Sequence, residues 1–189
     1  IIGQCVMYAG STFGLFDVSI DSCCHSSGTI GMIHLDNAVR SVFFERKGIS
    51  LNLSGFLKGY ALDRIRPVLD ASDITDALIN FGNSSILALG DRPGGSGWKV
   101  GFGQADKAPV ILRDECLTTS GNSKEENDHL VNPLDGTLVK KMGTLSVMTG
   151  SGALGEVLST SLFVCDIKRW PELLSSFGDA AVIVAGPDP

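Results

Sequence analysis

The order and spacing of the apolar residues predict an α+β fold, a largely antiparallel sheet with helices packed against it. Short β-like runs follow one another between residues 77 and 113, separated by Gly, Pro and Asp turns. The three- and four-residue apolar spacing of a helix occurs only in separate stretches, after Gly59 and after Ser151. Strands and helices do not alternate strictly, which excludes a parallel βαβ array.

Taken in order, residues 16–20 alternate in polarity and read as a short strand or its lead-in. Residues 30–35 and Ser41–Phe44 are further β-like runs. The second belongs to a stretch, 38–45, that enters a turn at Arg46-Lys47-Gly48, and 49–53 reads as the next strand. From Gly59 the period changes: Ala61, Leu62, Ile65, Val68 and Leu69 mark one helix face, and Pro67 predicts a kink or the last turn. Ala77–Phe81, Ser85–Leu89, 98–102 and 110–113 read as strands, with an open loop over 91–97. Residues 145–148 form another. Ala153, Val157, Leu158, Ser161, Leu162 and Val164 predict a second helix beginning near Ser151; residues 171–177 predict a short third, and 180–185 a closing strand.

Composition bounds the function. The chain has 189 residues, 43% hydrophobic and 19% charged, with a net charge of -6. At that length roughly 70% of the unfolded surface can be buried, and a disordered chain is excluded. The acidic balance, with no basic stripe, argues against nucleic acid as a partner. No apolar run reaches the ~18 residues of a membrane span. The chain begins at Ile1 with no targeting pattern, and we expect one domain over residues 1–189 trimmed at its N-terminus. Its 23 glycines exceed the usual ~7%, which suggests tight turns or close backbone approach to a ligand. Cys5, Cys23, Cys24, Cys116 and Cys165 show neither C-x-x-C nor zinc spacing and read as buried or incidental thiols.

Four stretches could carry chemistry. Leu51-Asn52-Leu53-Ser54-Gly55-Phe56-Leu57-Lys58-Gly59-Tyr60-Ala61 runs from a strand through small residues into a helix. A helix N-terminus with a lysine beside it suits phosphate, although a solvated lysine at a plain strand-turn-helix fits the same residues. Leu117-Thr118-Thr119-Ser120-Gly121-Asn122 reads as a hydroxyl-rich turn. Residues 128–136 carry His129, one of three histidines, before Asn-Pro and Asp-Gly turns. Glu156 and Thr160, four apart in Gly155-Glu156-Val157-Leu158-Ser159-Thr160-Ser161, share one helix face. Carboxylate and hydroxyl oxygens together are hard ligands of the kind Mg2+ takes.

These segments, in this order and over nearly the whole chain, resemble the ApbE-type flavin transferases, FAD:protein FMN transferases. That family shows an acid and small residues before A-K-G-Y-A, then N-x-G-G, A-T-S-G, H-[IV]-[IV]-D-P-x-T-G and A-D-x-x-[SD]-T-A. This chain reads N-L-S-G-F-L-K-G-Y-A, N-F-G-N, T-T-S-G, H-L-V-N-P-L-D-G and G-E-V-L-S-T-S, and Gly14-Leu15-Phe16-Asp17-Val18 is similar to a further family segment.

The resemblance implies an ApbE-like (T-fold-like) fold and Mg2+-dependent transfer of FMN from FAD to a threonine of an acceptor redox protein, with AMP released. It implies Gly55, Glu156 and Thr160 as metal ligands, and Lys58 against the FAD. Leu15, Phe16, Asp17, Asn52, Thr119, Ser120, His129 and Val131 would complete the flavin nucleotide site, with His129 the candidate proton-handling group. It also implies export, to the periplasm or a lipid anchor on the cell membrane. Four positions depart from the family pattern: Asn52 and Asn132 replace Asp, Asn83 replaces Gly, and Glu156 replaces a metal-binding Asp with one more methylene. The alternative expectation is a catalytically impaired FAD-binding relative, acting as a flavin carrier or interaction protein.

Overall fold

The computed structural model describes residues 1–102, 108–122, 130–178 and 180–185. Its main sheet joins five strands in the order β3-β4-β7-β8-β9, every neighbouring pair antiparallel. These are β3 (Ala77–Phe81), β4 (Ser85–Leu89), β7 (Glu115–Asn122), β8 (Gly143–Thr149) and β9 (Ala181–Ala185). Two hairpins stand apart from it: β1 (Ile33–Asp36) with β2 (Ser41–Phe44), and β5 (Trp98–Val100) with β6 (Val110–Leu112). The helices are α1 (Ile2–Ser11), α2 (Ser54–Asp70), α3 (Gly152–Val164) and α4 (Trp170–Leu174). The α+β expectation holds.

Side chains alternate across a strand, so the sheet has two distinct faces. Leu87, Leu89 and Cys116 pack with Leu62 of α2, while Leu145 and Val147 pack with Leu158 and Leu162 of α3. The opposite face offers Ile86, Ala88 and Leu117 to Val100 and Leu112 of the β5–β6 hairpin. Central α3 is apolar on nearly every side and correspondingly buried.

α2 and α3 meet through glycine. A Cβ on Gly59 would lie 2.1 Å from the Gly152 carbonyl oxygen, and one on Gly152 would lie 2.6 Å from the Gly59 oxygen. Asp63 of α2 closes the same seam: Oδ1 accepts from the Gly152 N–H (2.6 Å), and Oδ2 from the Ala153 N–H (2.9 Å) and the Ser151 hydroxyl (2.7 Å). Three donors at the N-terminus of α3 are thus satisfied by one carboxylate from the neighbouring helix.

Several local expectations are corrected. Residues 16–20 and 49–53 are not strands; they form a turn and an extended lead, joined by the Asn52 N–H donating to the Val18 carbonyl (2.7 Å). α2 begins five residues before Gly59 and its backbone leaves helical geometry at Gly55 (φ -79°, ψ 16°), whereas Pro67 opens the last turn, which ends at Asp70, as one of its two expected roles. The hydroxyl run Thr118-Thr119-Ser120 is strand, because β4 and β8 pair with it on either side. α1 was not foreseen; it buries only Cys5 and Ala9, a narrow stripe of small side chains.

Candidate functional site

Asn52 starts the site. Its Oδ1 accepts from the N–H (2.9 Å) and hydroxyl (2.6 Å) of Ser54, a turn that starts α2. Its Nδ2 donates to Asp21 Oδ2 (2.7 Å). At Gly55 the break from helical ψ rotates the carbonyl away from the regular ladder, and one turn later Lys58 donates to the Ser84 hydroxyl.

The β3–β4 turn reaches the same place from the sheet. Gly82 (φ 63°) and Asn83 (φ 62°) are consecutive left-handed residues, a conformation that Gly and Asn tolerate best. The Asn80 and Asn83 side chains hold the turn, with Asn83 N–H donating to Asn80 Oδ1 (2.8 Å) and Asn80 Nδ2 to Asn83 Oδ1 (2.8 Å). Asn83 therefore meets the backbone requirement of the glycine it replaces.

α3 presents Glu156 and Thr160 from successive turns. Glu156 is 4% exposed and accepts from the Ser85 hydroxyl at the start of β4. Burial pushes its carboxyl above the ordinary range, a shift opposed by the Ser85 hydroxyl, the Lys58 ammonium and the Gly59 N–H. Ser120 of β7 bridges Ser159 (2.9 Å) and Thr160 (3.0 Å) through its hydroxyl, and Thr119 pairs with Ser146 (2.7 Å).

Two adjoining cavities of about 450 and about 950 Å3 result, sharing Ser54, Gly55, Leu130 and Thr160 on their walls. The smaller is lined by Leu15, Phe16, Asp17, Asp21, Asn52 and Val131, among others. Asp17 is fully engaged: Oδ1 accepts from the Ser19 N–H (2.7 Å) and hydroxyl (2.6 Å), and Oδ2 lies 2.9 Å from His25 Nε2. The larger cavity is lined by Lys58, Ser84, Thr119, Ser120 and Glu156. Every expected site residue within the described structure lines one cavity or both. His129 lies outside the described residues.

Ser84, Ser85 and Asp63 went unread in the sequence. Ser84-Ser85 follow the Gly82-Asn83 turn directly, so small hydroxyls after a Gly-Asn pair were the available signal. Asp63 had none, since its partners are about ninety residues away.

The oxygen set fits a hard divalent cation. Mg2+ takes one or two carboxylates and fills its remaining positions with water and phosphate. Glu156, in the larger cavity, offers one carboxylate, and the Thr160 hydroxyl and the Gly55 carbonyl, on residues of the shared wall, offer two neutral oxygens. Among the described residues no cluster of three His, Cys, Asp or Glu side chains is present, so this set rests on a single carboxylate.

Comparison with known proteins bears on the family and the fold. The profile of the ApbE family matches residues 1–184. A Rhodobacter capsulatus protein named FAD:protein FMN transferase is 31% identical over 147 residues, covering 71% of this chain and 28% of that protein. One of the same name from Klebsiella pneumoniae is 27% identical over 149 residues, covering 71% and 45%. The chain thus spans between about a quarter and a half of these curated relatives. Among solved structures, the flavin transferase ApbE from Vibrio cholerae superposes with a TM-score of 0.77 at 17% identity, over 97% of this chain and 69% of that one. The ApbE protein from Thermotoga maritima gives 0.78 at 19%, over 97% and 71%. At such identities the likeness establishes the fold.

Proposed function

The chain belongs to the ApbE family, and from that premise we propose that it transfers FMN from FAD to a threonine hydroxyl of an acceptor protein, releasing AMP. One observation carries the reading. Segments around residues 15–17, 52–58, 82–84, 119–120, 130–131 and 156–160 converge on two adjoining cavities that share Gly55 and Thr160. An extended dinucleotide needs such a double chamber, with its phosphates at the junction.

In the transfer, the threonine oxygen bonds to the phosphorus of the FMN half. The bond from that phosphorus to the bridging oxygen breaks, AMP leaves with that oxygen, and the hydroxyl proton passes to a base. Phosphoryl chemistry of this kind rests on positioning and on charge neutralisation. Lys58, held by Ser84, supplies a fixed cation facing the larger cavity. Ser54 and Gly55, at the start of α2, line both cavities and bring the positive end of the helix dipole to them. Mg2+, held by Glu156, Thr160 and the Gly55 carbonyl, would supply neutralisation of the pyrophosphate charge. Ser85 and Ser120 orient Glu156 and Thr160 respectively. His129 is the proposed proton acceptor.

The acceptor would be a redox protein carrying the modified threonine, and the setting exported, periplasmic or lipid-anchored, both as the resemblance of the motifs implies. No helix among the described residues is long and apolar enough to cross a membrane. The deciding experiment incubates the protein with FAD, Mg2+ and a threonine-containing acceptor, and weighs the acceptor by mass spectrometry. Gain of one FMN with stoichiometric AMP is expected. Tight FAD binding with an unmodified acceptor overturns transfer and leaves the carrier reading.

A further inference from the structure

Beyond Ile20 and Asp21, which line the smaller cavity, the loop leading away from Asp17 gathers the chain's exposed thiols. Cys23 and Cys24 are exposed, whereas Cys5, Cys116 and Cys165 are buried. Burial pushes the Cys5 thiol up to about 11 and the Cys116 thiol up to about 12, and raises Cys165 as well. A thiol that stays protonated is neither nucleophile nor ligand, so thiophilic chemistry is confined to the adjacent pair.

That pair is geometrically constrained. The Cys23 N–H donates to the Gly48 carbonyl (2.8 Å), the Arg46 guanidinium donates to the Cys24 carbonyl (2.8 Å), and the His25 N–H donates to the Ser22 carbonyl (3.1 Å). Cys24 is held at φ 58°, a left-handed conformation rare for a residue with a Cβ. The two sulfurs lie 3.9 Å apart. Two thiolates bound at about 2.3 Å to one centre stand at most about 4.6 Å apart, so sulfurs at this separation can share a single ligand atom. A disulfide would instead need the sulfurs at about 2.05 Å and usually joins Cα atoms at least about 4.4 Å apart, more than the ~3.8 Å between neighbours.

We propose that Cys23 and Cys24 form a bidentate thiolate site for a soft, thiophilic centre that two protein sulfurs satisfy, trivalent arsenic being the type. With an organoarsenic oxide, two As–S bonds form and the oxide oxygen leaves as water with both thiol protons. Arsenic keeps its oxidation state, so no oxidant is needed. No third His, Cys, Asp or Glu joins the pair among the described residues, so a three-coordinate centre bearing one external group fits where a four-ligand metal does not.

The site adjoins the smaller cavity. His25 follows Cys24 directly, and its Nε2 lies 2.9 Å from Asp17 Oδ2, on that cavity's wall. Filling the thiol pair therefore acts on the wall through one side-chain contact, and capture itself does not depend on the transferase reading.

The test uses phenylarsine oxide on the reduced, full chain. One phenylarsenic per chain is expected by intact mass, retained against excess monothiol and removed by a dithiol. Cys23→Ser and Cys24→Ser should each abolish retention while leaving circular dichroism unchanged. Retention in either variant, or loss of two hydrogens with no arsenic bound, overturns the site. FAD titration of labelled and unlabelled protein reads the link to Asp17: several-fold weaker binding is expected, and unchanged affinity overturns the link.

Discussion

Asp63 is the residue whose removal tests how the site is assembled. Its carboxylate accepts three hydrogen bonds of 2.6–2.9 Å at the N-terminus of α3, the helix that carries Glu156 and Thr160. Asp63→Asn can keep its oxygen at the Oδ2 position, with the Ala153 N–H and the Ser151 hydroxyl, but then sets an amide N–H2 against the Gly152 N–H. One charge-assisted bond is lost, worth about 1.5–3 kcal/mol, and one N–H is left unpaired at about 1–3 kcal/mol. The terms overlap, so we expect a loss of about 3 kcal/mol, above the 0.5–2 kcal/mol of an ordinary helix cap. For a chain of this size that lowers the thermal midpoint by roughly 6–12 °C. Thermal and urea unfolding followed by circular dichroism give the number, with Asp70→Asn, an exposed acid at the end of α2, as a control expected within about 0.5 kcal/mol. Below the midpoint, Asp63→Asn should also weaken FAD binding, because both α3 side chains shift together. A loss under about 1 kcal/mol would refute the claim that this carboxylate holds α3 in place.

Gly59→Ala should cost at least about 3 kcal/mol despite the better helix propensity of alanine, since its Cβ meets an immovable carbonyl at 2.1 Å and Glu156 Cγ at 2.7 Å; chemical unfolding measures it, and a stabilised variant would contradict the close approach. Lys58→Gln should weaken FAD binding about tenfold, the effect of one charge-assisted contact to phosphate, yet leave riboflavin binding unchanged; equal losses for both ligands would remove Lys58 from the phosphates. Glu156, whose carboxyl burial raises above its ordinary 4.5, favours the neutral form in the fold, so its stabilising contribution is complete below that value and is lost as pH rises through the elevated one. Glu156→Gln keeps a partner for Ser85 and should flatten that decline of the thermal midpoint while abolishing stabilisation by Mg2+; an unchanged pH profile or retained Mg2+ response argues against the assignment. Asn52→Asp, which restores the family's acid, should destabilise at neutral pH by setting a second carboxylate against Asp21, and adding Asp21→Asn should recover most of the loss.

How much of this was readable depended on the range of the cause. β3, β4 and α3 declare themselves through local period, and Ser151, at the expected start of α3, is indeed its cap, accepting from the Leu154 N–H. Motif order likewise singled out Gly55, Lys58, Glu156 and Thr160, which sit in compact local patterns and line the two cavities. β7 was misread since hydroxyls favour turns in isolation and only its two partner strands decide otherwise. Asp63 and the Gly59–Gly152 contact were invisible, as each acquires meaning only across about ninety residues.

The departures from the family pattern take on a different weight once their backbones are known. Asn83 occupies a left-handed position that a β-branched or bulky residue would strain, and its side chain pairs with Asn80. Asn132 Oδ1 accepts from the Leu134 N–H (3.1 Å), a contact an aspartate would keep, while its Nδ2 donates to Asp135 (3.2 Å), a contact only the amide can make. Asn52 keeps the Ser54 turn through its oxygen and uses its nitrogen to bind Asp21, whose carboxylate stands on the same cavity wall. At each position the amide preserves the backbone geometry that shapes the chamber, and at the smaller cavity a negative charge is still present, carried by a neighbouring residue. What changes is where that charge sits relative to the phosphates, so these substitutions should act on proton transfer and rate before they act on fold or flavin affinity.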